Sequence, residues 1–381
     1  MVQLGFESFL KNSIPYLTGK RWALATHASA TTRECTSNID ALVESRFPLA
    51  LLFSGEHGLR GDVSAGDPVP DHIDPFTNLP VISLYGPRYE AAPEMLASLD
   101  GLLLDFQDIG SRYYTFTATL LSLINAAYKA QIPVYLLDRP NPTGCICVEG
   151  NVLDSTMHSI VGALSIPMRH GMTLGELFTW YVAQQGWSPD FFRVIPCQGL
   201  TRHMLWNDTK LAWVPPSPNS TGQTMALLYP GTCLIEGTNL SEGRGTAYPF
   251  EIIGAPWIDG HQLAHHLNNH QHPGVRFRPL AFRPTASKHA TSACYGVQIH
   301  VLDPYAVKSV PIGLDIIETT RRLWPQNTAV NSFLEKLSGM ASLDSLLSDT
   351  GYVEIDREFH QHQQDFLEIS RDFWIYPRKP A

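Results

Sequence analysis

Residues 49–61 read LALLFSGEHGLRG. Five apolar residues follow one another with no polar alternation, so a strand here expects burial on both faces, as in a parallel sheet. A glycine-bracketed loop follows, carrying a carboxyl (Glu56) beside an imidazole (His57). The same kind of run recurs at residues 21–25 (RWALA), 81–84 (VISL), 101–106 (GLLLDF) and 133–137 (PVYLL). Helical spacing lies between several of them, at residues 36–45, 91–99 and 117–130. This βαβα rhythm predicts a Rossmann-like, doubly wound parallel sheet over residues 1–150.

After Pro140 the rhythm changes. A Gly/Pro-rich stretch leads into GMTLGELFTWYVAQQ (171–185), which predicts an amphipathic helix. A strand at 192–196, a loop WVPPSPNSTG and a helix at 223–228 follow. From residue 258 helical segments (259–270, 313–324) alternate with strand-like ones (274–280, 295–302). Residues 151–381 are expected to form a smaller α+β domain, with the boundary between 145 and 260 and the active site in the cleft between the domains.

Composition narrows the function. The chain has 381 residues, 44% of them hydrophobic and 17% charged, enough to bury large cores. Its net charge of −9 disfavours a nucleic-acid backbone as partner. No apolar run is long enough to span a bilayer. The N-terminus lacks a basic region followed by an apolar one, so the chain as it stands reads as cytoplasmic, and as periplasmic or secreted if a signal has been removed. Six scattered cysteines without a CxxC pair fit reduced thiols rather than a disulfide or zinc framework.

In an open parallel sheet, ligands bind beyond the carboxyl ends of the strands. The residues there are His27 after the first run, Glu56, His57 and Arg60 after the second, Asp105, Asp108 and Arg112 after the fourth, and Arg139 and Asn141 after the fifth. Glu56 suits general acid or base work, or braces its loop. Asp105 and Asp108 suit metal binding, orientation of an acid, or helix capping. His27 suits ligation, a hydrogen bond to a sugar, or a place in the core. A second polar cluster, EGTNLSEGRGT (236–246), brings Asn239, Glu242 and Arg244 together among glycines, and Asn219 stands in SPNSTG. A binding loop and a solvated turn both fit that composition.

Absent motifs exclude other chemistry. No GxGxxG follows the first run, so a dinucleotide site loses its main support, and neither GxxxxGK[ST] nor GxSxG occurs. No metal and no cofactor is expected. The helix bearing His261, His265, His266 and His270 contains i,i+4 pairs able to bind a metal adventitiously, but no other ligand residue comes with it, so a solvated face is expected there.

The stretches FSGEHGLRG (53–61), DFQDIGSRYYTF (105–116), LDRPNPTG (137–144), HGMTLGEL (170–177), SPN (217–219), LYPGT (228–232), EGTNLSEGRGT (236–246) and PFEIIGAPW (249–257) run in order along nearly the whole chain. With them the sequence resembles the exo-β-N-acetylmuramidase family (NamZ-like, formerly a bacterial domain of unknown function). The resemblance implies a Rossmann-like domain, a smaller C-terminal domain and an active site between them. It implies a glycoside hydrolase that removes terminal β-linked N-acetylmuramic acid from the non-reducing end of peptidoglycan fragments in cell-wall recycling. Carried onto this chain, the catalytic acid is Glu56, with His57, Asp108 and Glu242 completing the catalytic set. His27, Arg60, Asp105, Arg112, Arg139, Asn141, Asn219, Asn239 and Arg244 are the candidates for substrate binding. One departure is visible: Ser54-Gly55 precede the Glu-His-Gly where family members commonly have a small residue and proline.

Glycoside hydrolysis needs a proton donor for the leaving oxygen and stabilisation of an oxocarbenium-like transition state. The second role falls to a water activated by Glu242 or an Asp, or to the sugar's own 2-acetamido group. The lactyl carboxylate of muramic acid calls for a cation, best an arginine, and Arg60, Arg112, Arg139 and Arg244 are the candidates. Two other readings stand beside this one. A sugar-binding protein would keep the cleft without turnover, and a metal-dependent hydrolase would use Asp105, Asp108 and His27.

Overall fold

The computed structural model describes residues 1–12 and 20–379. Twelve strands occur among them: β1 (Trp22–Thr26), β2 (Leu49–Ser54), β3 (His72–Ile73), β4 (Pro80–Ser83), β5 (Gly101–Asp105), β6 (Val134–Leu137), β7 (Glu149–Val152), β8 (Pro167–Arg169), β9 (Phe192–Ile195), β10 (Ile252–Ala255), β11 (Val275–Phe282) and β12 (Cys294–Val301). The helices are α1 (Gly5–Asn12), α2 (Asn38–Glu44), α3 (Phe116–Ala130), α4 (Leu174–Gln184), α5 (Trp206–Thr209), α6 (Gln223–Thr232), α7 (Gly260–Asn269), α8 (Ser309–Leu323), α9 (Phe333–Ser338), α10 (Leu343–Asp349) and α11 (Tyr352–Ser370).

The main sheet runs β3-β4-β2-β1-β5-β6-β9. Every neighbouring pair from β4 to β9 is parallel, and only the two-residue edge strand β3 is antiparallel. Counted along the chain, the six parallel strands lie in the order 3-2-1-4-5-6 of a doubly wound Rossmann sheet. Their apolar runs lack alternation because both faces are covered. Ala23, Ala25, Phe53, Leu102, Leu104 and Leu136 enter one core with α3 and α4. Trp22, Leu24, Leu52, Leu103 and Leu137 enter the other with α1 and α2.

The strand expected at 192–196 in the second domain pairs with β6 as the sixth parallel strand of the first sheet. The helix expected at 91–99 is one short 3-10 turn, Pro93–Met95. Leu96 and Leu99 are buried there, so their spacing reflects packing of an irregular segment. A two-stranded antiparallel unit, β7 with β8, has no counterpart in the sequence reading. The C-terminal part contains an antiparallel sheet, β10-β12-β11, with α7 packed on it.

Chain end and first domain are clamped together by buried polar groups. The Asp138 carboxylate, at the end of β6, accepts from Tyr376 Oη at 2.6 Å, Thr173 Oγ1 at 2.7 Å and the Gly175 amide at 2.9 Å. Glu176 pairs with Arg202 and accepts from the Ile375 amide at 2.9 Å, while the Arg202 guanidinium lies 4.0 Å over the Trp374 ring. Burial pushes Asp138 up from 3.8 to about 6, against the three donors that favour its charged form. Between those values the folded chain holds a proton that the unfolded chain has lost. Stability from this group therefore falls as pH rises through that window. Asp138→Asn is expected to remove this component. Urea unfolding of both proteins should show wild type losing stability relative to the variant between pH 4 and 6, and parallel pH profiles would refute it.

Candidate active site between the two domains

The loop after β2 turns sharply. His57 has φ 72° and Gly58 φ 76°, two successive left-handed residues, and a non-glycine residue in that region is a costly choice. The turn leaves Glu56 half-buried with its carboxylate held from two directions. Glu56 Oε1 accepts from the Gly66 amide at 3.0 Å, and Oε2 accepts from Thr115 Oγ1 at 2.7 Å. Thr115 is the residue immediately before α3, so two different loops fix one carboxylate.

Glu56 and His57 open into a cleft of about 800 Å³, within the range of small-molecule sites. One wall comes from strand ends of the first sheet: Glu56 and His57 after β2, Tyr85 after β4, and Tyr113, Tyr114 and Thr115 before α3. The opposite wall comes from Asn219, Tyr229 of α6, Glu236, Arg244, Phe250 and Ser287. The surface is mixed, aromatic rings alternating with hydroxyl, carboxyl and guanidinium groups, as a sugar with apolar and polar faces requires.

The ionisable groups have distinct environments. His57 Nδ1 lies 3.1 Å from the Val63 carbonyl, to which it donates. Burial lowers the His57 pKa, aided by Arg244 and opposed by Glu56 and the Val63 bond. Burial, joined by the charge and hydrogen bond of Glu56, pushes the Tyr85 phenol up and keeps it a neutral donor. Across the cleft, Arg244 donates through Nε and Nη2 to Glu236 Oε1 at 2.8 and 2.6 Å and lies 5.0 Å over Phe250. Burial raises the Glu236 pKa, opposed first by Arg244 and reinforced by Glu242. Gly245 is required beside Arg244, since its φ is +76° and a Cβ there would lie 2.4 Å from the Ala286 amide nitrogen.

Of the residues singled out from sequence, Glu56, His57, Asn219 and Arg244 line this cleft. Glu242 lies one layer behind, 3.1 Å from Lys288 Nζ, 3.5 Å from Arg244 Nε and 3.4 Å from Ser287 Oγ. His27 is buried behind His57, their rings 6.2 Å apart. Its Nδ1 accepts from the Ser29 amide at 3.2 Å, and burial, then His57, pushes its pKa down to about 3, so the ring is neutral. Asp108 is buried, its Oδ2 accepting from the Gly110 amide at 2.9 Å and 3.2 Å from His170 Nε2.

The other six are placed away from the cleft lining and are held by bonds within the protein, Arg112 Nε alone being buried without a partner among the described residues. Asp105 holds Arg139 through two bonds, 2.5 and 3.0 Å, and accepts from Asn38 at 2.8 Å. Arg112 donates to four carbonyls: Asn151, Ile166, Leu337 and Ser338. Arg60 is paired with Asp74 at 2.9 and 3.1 Å. Asn141 closes its own turn through Thr143 and donates to the Met172 carbonyl. Asn239 joins the Asn327 carbonyl and the Ala329 amide. Sequence reasoning saw Glu236 only as the start of a cluster, and gave no role to Tyr85, Tyr229 or Ser287. Tyr85 follows the end of β4, whereas Tyr229 lies within α6 and Ser287 in the β11–β12 loop, and none of the three becomes selective until the two walls face each other.

The metal reading with Asp105, Asp108 and His27 finds no support in this arrangement. The Asp105 carboxylate is taken by Arg139 and Asn38, and among the described residues no ligand cluster includes any of the three. No described helix is long and apolar enough to cross a membrane.

Comparison with known proteins bears on the whole chain. Residues 22–224 match the family described as "Exo-beta-N-acetylmuramidase NamZ, N-terminal". Residues 227–376 match "Exo-beta-N-acetylmuramidase NamZ, C-terminal". A curated relative, the peptidoglycan beta-N-acetylmuramidase NamZ of Bacillus subtilis (strain 168), is 40% identical over 380 residues, covering 98% of this chain and 91% of the relative. The crystal structure of a DUF1343 family protein from Bacteroides fragilis NCTC 9343 superposes with a TM-score of 0.91 at 31% identity, covering 98% of this chain and 99% of that one. A second DUF1343 protein from the same organism gives a TM-score of 0.78 at 28% identity with full coverage of both chains. By two matched domains and by identity along its length, the chain belongs to the exo-β-N-acetylmuramidase NamZ family.

Proposed function

We propose that this chain hydrolyses the terminal β-linked N-acetylmuramic acid at the non-reducing end of peptidoglycan fragments, with Glu56 as general acid. The observation that carries the reading is the placement of Glu56. It is a carboxylate fixed by Gly66 and Thr115 at the wall of an interdomain cleft of sugar size. In its protonated form it donates to the departing glycosidic oxygen as the C1–O bond breaks and positive charge develops on the sugar ring; water then bonds to C1 and releases a proton, and Glu56 is reprotonated for the next cycle. His57, with burial favouring its neutral ring, lines the wall beside it.

Arg244 is the arginine we assign to the lactyl carboxylate. Of the four candidates it is the one that lines the cleft. Arg60 and Arg139 are each held by a carboxylate, and Arg112 is buried away from the cleft with both terminal nitrogens bonded to carbonyls. Arg244 directs Nε and Nη2 at Glu236, and no protein hydrogen bond is made by Nη1 among the described residues. Asn219, Ser287 and Tyr85 supply donors and acceptors for sugar hydroxyl and acetamido groups.

Two experiments test these assignments. Glu56→Gln, nearly isosteric, is expected to lower turnover of a muramic-acid-terminated disaccharide by roughly 10²–10⁴. The loss on 4-nitrophenyl β-N-acetylmuramide should be much smaller, because nitrophenolate leaves without a proton. Equal losses on both substrates would sink the general-acid role, and saturable binding without turnover by wild type would favour a sugar-binding protein instead. Arg244→Gln is expected to lower kcat/KM for the muramide by about 10–100-fold, the worth of a charge-assisted hydrogen bond. It should leave kcat/KM for the corresponding N-acetylglucosaminide, which lacks the lactyl group, nearly unchanged. A parallel drop on both sugars would remove the assignment.

A further inference from the structure

A second cluster of ligating groups lies outside the cleft, where α7 ends and α8 passes beneath it. His270 Nδ1 and His272 Nε2 each lie 2.7 Å from the same oxygen, Asp315 Oδ2. The residue between the two histidines, Gln271, has φ 56°, and this left-handed step turns both rings to one side. Asp315 is fully buried and its other oxygen, Oδ1, accepts from Thr319 Oγ1 at 2.9 Å. His272 is buried, whereas the His270 side chain is 30% exposed and leaves an approach from solvent.

Two imidazole nitrogens converging on one carboxylate oxygen give that oxygen more donors than a hydrogen-bond pair needs. The same three atoms are the donor set of a three-ligand metal site, and they all lie within 4.8 Å of one another. Tetrahedral coordination places neighbouring ligand atoms about 3.3 Å apart, so each imidazole nitrogen draws back from the Asp315 oxygen by about 0.6 Å to admit an ion. The bond from Thr319 fixes the carboxylate from behind, as partners of metal ligands do. The Tyr352 ring packs 5.9 Å from His270 and 5.8 Å from His272, and Glu318 accepts the Tyr352 amide at 2.6 Å.

We propose that His270, His272 and Asp315 bind one divalent transition-metal ion of the zinc class, with the fourth position open to water beside His270. Imidazole and carboxylate donors in this number suit zinc, copper or nickel rather than magnesium or calcium. The ion would tie the α7–β11 turn to α8, an element that packs on α6 and so supports the far wall of the cleft. The site is independent of the glycosidase reading, since none of its residues reaches the cleft. Sequence spacing had offered only the exposed helical histidines. The partners that complete the set lie two residues beyond the helix's last histidine and 45 residues further on.

The test is calorimetric titration of the metal-stripped full chain with Zn²⁺, alongside His270→Gln, His272→Gln and a control, His265→Gln, on the exposed face of α7. Wild type and the control are expected to bind one equivalent with the same affinity. Each cluster variant should bind at least about tenfold more weakly, as loss of even a supporting partner does at metal sites. Co²⁺ should produce the visible absorption of a tetrahedral site in wild type and not in the His270 variant, a surface change that spares the fold. Absence of binding by wild type would overturn the proposal and leave a hydrogen-bonded triad. So would binding that the His265 change removes and the His270 and His272 changes do not.

Discussion

The geometry of the cleft rests on a buried cation that has no carboxylate partner among the described residues. Arg112 is almost fully inaccessible, and burial lowers its pKa to about 10, opposed by the neighbouring Tyr113. Its charge is met by four carbonyl oxygens at 2.8 to 2.9 Å. Two belong to the β7–β8 region and two to the last turn of α9, where carbonyls lack helical partners and the helix dipole favours a cation. Removing the guanidinium would take a donor from four buried carbonyls, of which that of Ile166 keeps the Leu153 amide at 3.3 Å, so the joint between the domains depends on this one side chain. The three residues that follow, Tyr113, Tyr114 and Thr115, form part of the cleft wall, and Tyr113 Oη donates across to the Pro230 carbonyl of α6. Thr115 then orients Glu56. One arginine thus fixes the wall that holds the proposed acid.

The sheet order would ordinarily place a ligand at the switch point between β1 and β5. Here that crevice is closed by the chain itself. Asn38 donates to Thr26 Oγ1 at 2.7 Å and to Asp105 at 2.8 Å, while Arg139 takes both oxygens of Asp105. A bidentate ion pair and an amide fill the space that a pyrophosphate would need, in keeping with the absence of a glycine-rich turn after β1. The cleft has moved toward the ends of β2 and β4 and borrows its second wall from α6 and the segment 236–250. Fold and site are therefore partly decoupled, as expected when a common sheet carries a grafted function.

This decoupling explains what the sequence made legible. The parallel strands were readable because burial on both faces leaves an unbroken apolar signature, from Trp22 to Thr26 as from Gly101 to Asp105. The α3 and α4 helices were readable from spacing, and α4 carries a capping box at Thr173 and Glu176. The strand β9 was visible but not its partner, since pairing with β6 across more than fifty residues leaves no local trace. For the site, Glu56, His57, Asn219 and Arg244 stood out as polar residues in turns. So did Asp105, Arg112, Asn141 and Asn239, and the sequence has no means of separating them. The same residue types in the same loops serve either to meet a ligand or to close a buried network. Only the partners decide which.

The far wall poses an electrostatic problem that the pairing of Glu236 with Arg244 resolves. An anionic sugar entering a cleft already lined by Glu56 and Glu236 meets like charge, and Arg244 is already engaged by Glu236. Burial raises the Glu236 pKa, and Glu242 behind it pushes the same way. Glu236 is thus poised to take up a proton when a second carboxylate claims the guanidinium. On the proposed assignment, the lactyl group would displace Glu236 from Arg244, and the proton taken up would leave the local charge unchanged. A neutral sugar offers no such exchange and would leave the Glu236–Arg244 pair intact. Selectivity for the acidic sugar then arises from the substitution of one carboxylate for another on a single half-buried arginine, which needs no extra cation in the cleft.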